Sequence, residues 1–87
     1  PFIHQSAMIS TSSVISSEAF ISPGVVIGDN VVIGSGAHIG ANTVIGNNCI
    51  IAKHTRIEAG VVLYDDVHIG EDCLIHSGVV LGGDGFG

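Results

Sequence analysis

The groups able to do chemistry in this 87-residue chain are five histidines, two cysteines, eight carboxylates and two cations. A histidine works as a general base when a substrate lies against it and a carboxylate orients its ring. Zinc asks for His or Cys ligands that converge on one point. The histidines are His4, His38, His54, His68 and His76, and the closest spacing within the second half is His68 to His76. Cys49 and Cys73 are 24 residues apart, which is not a metal-ligand spacing. Both are expected to be small buried apolar residues, which suits a reducing compartment and points to the cytoplasm. No metal and no cofactor are expected. Lys53 and Arg56 are the only cations, and the formal net charge is −6. Such a surface repels phosphate backbones, so nucleic acid is excluded as a partner. There is no polybasic stretch for anionic lipid, and no apolar run approaches the ~20 residues of a membrane span.

What must position these groups is a repeat. An aliphatic residue recurs at every sixth position: Ile3, Ile9, Ile15, Ile21, Ile27, Ile33, Ile39, Ile45, Ile51, Ile57, Leu63, Ile69, Ile75 and Leu81. A period of six fits neither a lone amphipathic helix nor a hairpin meander. It is the pattern of a hexapeptide β-helix, whose stacked coils share one core. Call the aliphatic position i. Position i−2 is mostly small, as at Ala19, Val31, Ala37, Thr43, Cys49, Thr55 and Cys73. In a strand i and i−2 point the same way, so each strand sends one large and one small side chain inward. Position i+1 is often Gly, and i+2 and i+3 are turn formers such as Asp29-Asn30, Asn47-Asn48 and Asp65-Asp66. Each hexad therefore reads as a three-residue strand and a three-residue corner. The chain is 46% hydrophobic but 5% aromatic, so the core is aliphatic. The first three hexads are weaker, with Ser replacing Gly at the corners over Ser10–Glu18. Terminal repeats are commonly atypical.

The order aliphatic, Gly/Ala/Glu/Asp, two free positions, Ser/Thr/Ala/Val resembles the bacterial hexapeptide acyltransferase signature. The hexads at Ile27, Ile33, Ile39, Ile51 and Ile57 match it, while those at Ile45 and Ile69 miss only through Cys49 and Cys73. The resemblance implies an all-β, left-handed parallel β-helix of about four to five triangular coils, 18 residues to the coil. Residues 18 apart would then stack. That places His54 by Asp72, His76 by Glu58 and Lys53 by Glu71. The pair of His76 with Glu58 is the one candidate base, and its plain alternative is a structural corner pair. Thr11, Thr43 and Thr55 fall in different columns, so no flat threonine rank of the ice-binding kind exists. Position i−1 points outward and should be polar where exposed. Met8, Val26, Val44, Val62 and Val80 nevertheless form one apolar column, which is expected to be an oligomer interface. The β-propensity of Val is the alternative, and the column by itself fits a dimer as well as a trimer. Resemblance to trimeric acyltransferases favours a homotrimer.

A longer stretch is more specific. Leu63-Tyr64-Asp65-Asp66-Val67-His68-Ile69-Gly70, then Cys73-Leu74-Ile75-His76-Ser77-Gly78-Val79-Val80-Leu81-Gly82-Gly83-Asp84-Gly85-Phe86-Gly87, resembles the UDP-3-O-(3-hydroxyacyl)glucosamine N-acyltransferase family of lipid A synthesis. The implied reaction moves a 3-hydroxyacyl chain from acyl carrier protein to the 2-amino group of a UDP-acylglucosamine. The implied partners are the acyl carrier protein and the UDP-sugar. In that family a uridine-binding domain would precede Pro1. The catalytic histidine, in an Ile-Ala-His-Asn context, would follow Gly87. Ile51-Ala52-Lys53-His54 only echoes that context, with an extra Lys, and is not given the role. Asp84, Gly85 and Phe86 are the expected substrate contacts. Residues 1–87 are expected to be one solenoid domain belonging to a longer chain, with 82–87 the start of a loop or a truncated end. By itself the 87-residue chain is expected to be inactive. Two other readings stay open. One is a different hexapeptide acyltransferase acting on a sugar nucleotide or small amine. The other is a non-catalytic trimerising scaffold.

Overall fold

In the computed structural model, which describes residues 1–82, every hexad forms one strand, and every hexad before Leu81 forms one corner. The strands are two residues long, one shorter than the pattern suggests, because the N–H at i−2 bonds back into its own corner or to a side-chain hydroxyl at many of the corners. Ala37 N–H donates to the Gly34 carbonyl at 3.2 Å, and Ala7 N–H to that of His4 at 3.0 Å. That donor is thereby withdrawn from the ladder.

Three parallel sheets result. The first face stacks β1 (Phe2–Ile3), β4 (Phe20–Ile21), β7 (His38–Ile39), β10 (Arg56–Ile57) and β13 (Leu74–Ile75). The second stacks β2 (Met8–Ile9), β5 (Val26–Ile27), β8 (Val44–Ile45), β11 (Val62–Leu63) and β14 (Val80–Leu81). The third stacks β3 (Val14–Ile15), β6 (Val32–Ile33), β9 (Ile50–Ile51) and β12 (His68–Ile69). Register is in steps of one coil: Ile27 pairs with Ile45, and Ile45 with Leu63. From His4 to Tyr64 each i+1 N–H donates to a carbonyl one coil on, as Gly40 N–H does to Ile57 at 2.7 Å. The architecture is the left-handed parallel β-helix of hexapeptide repeats.

The core is the ladder at i with the small residues at i−2 between its rungs. Ile21, Ile33, Ile39, Ile45, Ile51 and Ile57 are fully buried, as are Val25, Val31 and Val61. Burying each Ile contributes about 1.5–3 kcal/mol. The two end coils are covered on one side only. Ile3 is exposed, and Ile9, Ile15, Ile75 and Leu81 are half-buried. Cys73 departs from expectation for the same reason. It is half-exposed rather than buried, since the described residues place no coil above it.

Every corner from Gly24 to Gly78 holds its third residue at positive φ: Gly24, Asn30, Gly36, Asn42, Asn48, His54, Gly60, Asp66, Asp72 and Gly78. Gly, Asn and Asp tolerate that left-handed backbone best, which is why the corner composition is so narrow. Ser6, Ser12 and Glu18, the matching residues of the first coil, do not adopt it.

Two inward hydroxyls do more than fill space. Thr43 Oγ1 donates to the Glu58 carbonyl at 3.0 Å and accepts from Val61 N–H at 3.3 Å. Thr55 Oγ1 donates to the Gly70 carbonyl at 2.6 Å and accepts from Cys73 N–H at 3.1 Å. Each bridges backbone groups that the ladder leaves open. Thr55→Val keeps the shape and strands both groups, so it is expected to cost about 1–3 kcal/mol in urea unfolding. An unchanged midpoint would show that water serves those groups equally well.

Candidate functional site

The corner between the first and second faces encloses a groove of about 300 Å³. Its chemistry comes from Ser22, His38, Gly40, Arg56, Glu58 and Ser77. His38 and Arg56 are outward residues of neighbouring strands, paired in register. The His38 ring lies flat on Phe20, with centroids 4.5 Å apart and planes at 19°. Phe20 in turn contacts Phe2 at 6.5 Å. Gly40 forms the floor, because a Cβ there would meet Ala59 N at 2.6 Å and the Glu58 carbonyl oxygen at 2.7 Å.

Glu58 is held from above. Its Oε1 lies 3.3 Å from His76 Nδ1 and accepts from Ser77 N–H at 3.3 Å. The expected stacking of His76 on Glu58 is thus present. So are His54 with Asp72 at 3.6 Å and Lys53 with Glu71 at 4.0 Å. All three pairs lie in solvent, where such contacts contribute about 0–1 kcal/mol. The His76 side chain is 73% exposed and its ring does not line the groove, although its partner Glu58 does. The geometry therefore orients a histidine without placing a cavity against it. Among the described residues Arg56 pairs with no carboxylate.

Two further corner carboxylates, Asp29 and Asp65, have structural work. Asp65 Oδ1 accepts from Asn47 N–H at 2.8 Å, and Asn47 Oδ1 from Asp29 N–H at 2.8 Å. This ladder ties successive corners together and ends on Ser10, which hydrogen-bonds Asp29. Among the described residues no group of three His, Cys, Asp or Glu side chains converges to hold a metal. Asp84, Gly85 and Phe86 lie outside the described residues. The column Met8, Val26, Val44, Val62 and Val80 runs down the outer surface of the second face. Met8 is 69% exposed, Val44 is 40% exposed and Val62 is half-buried.

Sequence reasoning missed the groove. Its signal was present: Arg56 and Glu58 flank Ile57 at i−1 and i+1, and Gly40 precedes Glu58 by one coil. The period places outward and corner residues in separate columns and carries no sign of the cavity between them.

Cys49 is buried, and its thiol donates to the Tyr64 carbonyl at 3.1 Å. Burial pushes this thiol above its ordinary value near 9.0, and the charges of Asp65 and Asp66 add to that, against backbone hydrogen bonding at Val67 and Asp66. Below about pH 9 the thiol is protonated folded or unfolded. Above it the unfolded chain ionises first, so stability falls as pH climbs toward the folded value. A disulfide reagent is expected to label Cys73 in the native chain and Cys49 only after unfolding. Equal native labelling of both would contradict this burial.

Fold and repeat together define a hexapeptide-repeat β-helix protein. Stretches 12–47, 24–58 and 48–83 match the profile described as bacterial transferase hexapeptide (six repeats). The chain belongs to that family. None of the curated proteins matches it in sequence. Among solved structures it is similar to perosamine N-acetyltransferase from Caulobacter crescentus in complex with CoA and GDP-perosamine. One histidine variant of that enzyme gives a TM-score of 0.54 at 18% identity, and a second gives 0.53 at 19%. Each match covers 90% of this chain and 49% of that chain. The acetyltransferase domain of PglB from Neisseria gonorrhoeae, in complex with acetyl coenzyme A, gives 0.36 at 21% identity over 83% of this chain and 52% of that one. The chain thus spans about half the length of these neighbours, and the likeness at these identities is one of fold. No helix among the described residues is long and apolar enough to cross a membrane.

Proposed function

We propose that this chain is the β-helical part of a sugar N-acyltransferase. In its finer form, the enzyme moves a 3-hydroxyacyl chain from acyl carrier protein to the 2-amino group of a UDP-acylglucosamine in lipid A synthesis. The amine attacks the thioester carbonyl, a general base takes its proton, and the carrier thiol leaves. The base is the histidine expected beyond Gly87, and Asp84, Gly85 and Phe86 contact substrate. The chain alone has no turnover.

One observation carries this reading. Gly82 takes φ +88° at the first corner position, where every earlier corner from Gly24 keeps positive φ at the third. Gly82 opens the Gly-Gly-Asp-Gly-Phe-Gly run on which the resemblance rests most. Membership of the transferase family supports it, as does the activity named for the perosamine neighbour. The test is an assay of the parent protein with a 3-hydroxyacyl carrier thioester and UDP-acylglucosamine. Acetyl coenzyme A with a nucleotide-linked amino sugar runs in parallel. Turnover of the first pair supports the finer reading. Turnover of the second alone leaves a sugar N-acetyltransferase. Turnover of neither sinks both.

The protein works in this reading as a cytoplasmic homotrimer, packed through Met8, Val26, Val44, Val62 and Val80. A continuous outward apolar column of this kind ordinarily marks an interface. Sedimentation of the chain at micromolar concentration is expected to give a trimer, and Val44→Glu a folded monomer. A wild-type monomer would remove the interface.

A further inference from the structure

We propose that the groove at the corner of the first face binds a small molecule carrying both a primary ammonium and an anionic group. Arg56 receives the anion and Glu58 the ammonium. This goes beyond the acyl-transfer reading and stands without it.

The two charges share one groove two residues apart and do not pair with each other. Long opposite charges so close in sequence ordinarily meet directly when both are free to move. Here Glu58 is not free. Ser77 N–H and His76 Nδ1 both engage its Oε1. Among the described residues Oε2 carries no hydrogen bond and remains available as an acceptor. Arg56 rises from the neighbouring strand position with its planar fork unoccupied, a shape matched to carboxylate or phosphate.

The space between them is maintained by backbone. Gly40 lets the Glu58 and Ala59 backbone approach closely at its floor, since a Cβ there would press on those atoms. His38, fixed flat on Phe20, forms one wall, and Ser22 and Ser77 add hydroxyls at the rim. A volume of about 300 Å³ is at the small end of ligand pockets, enough for one sugar ring or one amino acid.

Charge decides the class. The chain carries −6 overall, so a purely anionic ligand is repelled on approach. A purely cationic ligand meets Arg56 beside the one carboxylate that lines the groove. A molecule with both groups is spared either penalty and satisfies both residues. Amino sugar phosphates and free amino acids share this chemistry.

The test is NMR titration of the full chain with glucosamine 6-phosphate, glucose 6-phosphate, glucosamine and L-serine. Glucosamine 6-phosphate or L-serine is expected to bind at least about fivefold tighter than either single-charge sugar, one exposed ion pair's share. The tighter of the two says which source fits. The amides of Gly40 and Ser77 are expected to shift. Arg56→Gln should lower the affinity to that of glucosamine, and Glu58→Gln to that of glucose 6-phosphate. Arg56→Lys, which keeps charge without the fork, should retain part of the preference and guards against a folding defect in Arg56→Gln. Glucose 6-phosphate binding as tightly as glucosamine 6-phosphate overturns the proposal. So does a preference that survives Arg56→Gln, or the absence of shifts at Gly40 and Ser77. The readout is binding alone, so its failure leaves the acyl-transfer assay untouched.

Discussion

Ile45→Asp is expected to leave no folded protein at 25 °C. Ile45 is 1% exposed and sits mid-ladder, paired with Ile27 on one side and Leu63 on the other. Truncating such a residue to Ala costs about 2–5 kcal/mol through lost burial and an unfilled cavity. Aspartate adds a carboxylate among Ile and Val with no hydrogen-bond partner. The sum is comparable with the whole stability of a domain, about 5–15 kcal/mol. A solenoid makes this worse, because each coil is stabilised mainly by its neighbours and the break falls in the middle. Circular dichroism should lose its β signal. Ile45→Val should cost about 0.5–1.5 kcal/mol and stay folded. Val44→Glu, one residue away but facing out, should also fold. An Ile45→Asp chain that unfolds cooperatively at the wild-type midpoint would mean that the ladder is not the core.

Gly40→Ala is expected to be the most damaging single methyl addition, at about 3 kcal/mol. The new Cβ would sit 2.6 Å from Ala59 N and 2.7 Å from the Glu58 carbonyl oxygen, and it would also crowd the Glu58 carbonyl carbon. All are backbone atoms of the next coil, held by the ladder, so no flexible side chain is there to yield. The coils must separate locally. Gly60→Ala is the instructive contrast. It lies at φ +70° with no atom within 4 Å of the added carbon. Only the left-handed backbone opposes it, at about 1–2 kcal/mol. Thermal unfolding of the two variants separates steric from torsional cost. A Gly60→Ala chain less stable than Gly40→Ala would reverse the argument.

The fold was readable because its code is one-dimensional. Ile3 to Leu81 at every sixth position specifies which residues face inward, and the Asn, Asp and Gly at i+3 specify where the chain turns. Contacts lie between residues one coil apart, so His54–Asp72, Lys53–Glu71 and His76–Glu58 follow by counting. Counting did less well at the edges. Cys73 shares the i−2 position of Cys49 but has no coil above it among the described residues, and burial depends on that neighbour rather than on type.

The sequence alone determined the repeat, the identity of the core and the stacked ionic pairs, since each follows from a fixed period. Only the tertiary structure decided which open groups meet across that period. Thr43 and Thr55 bridge backbone that composition cannot locate. Arg56 and Glu58 border one groove without pairing, because Ser77 N–H and His76 hold the carboxylate from the coil above. A period says which residues stack. Whether two charges collapse on each other or stay apart depends on side-chain anchoring, and that exists only once the coils have closed.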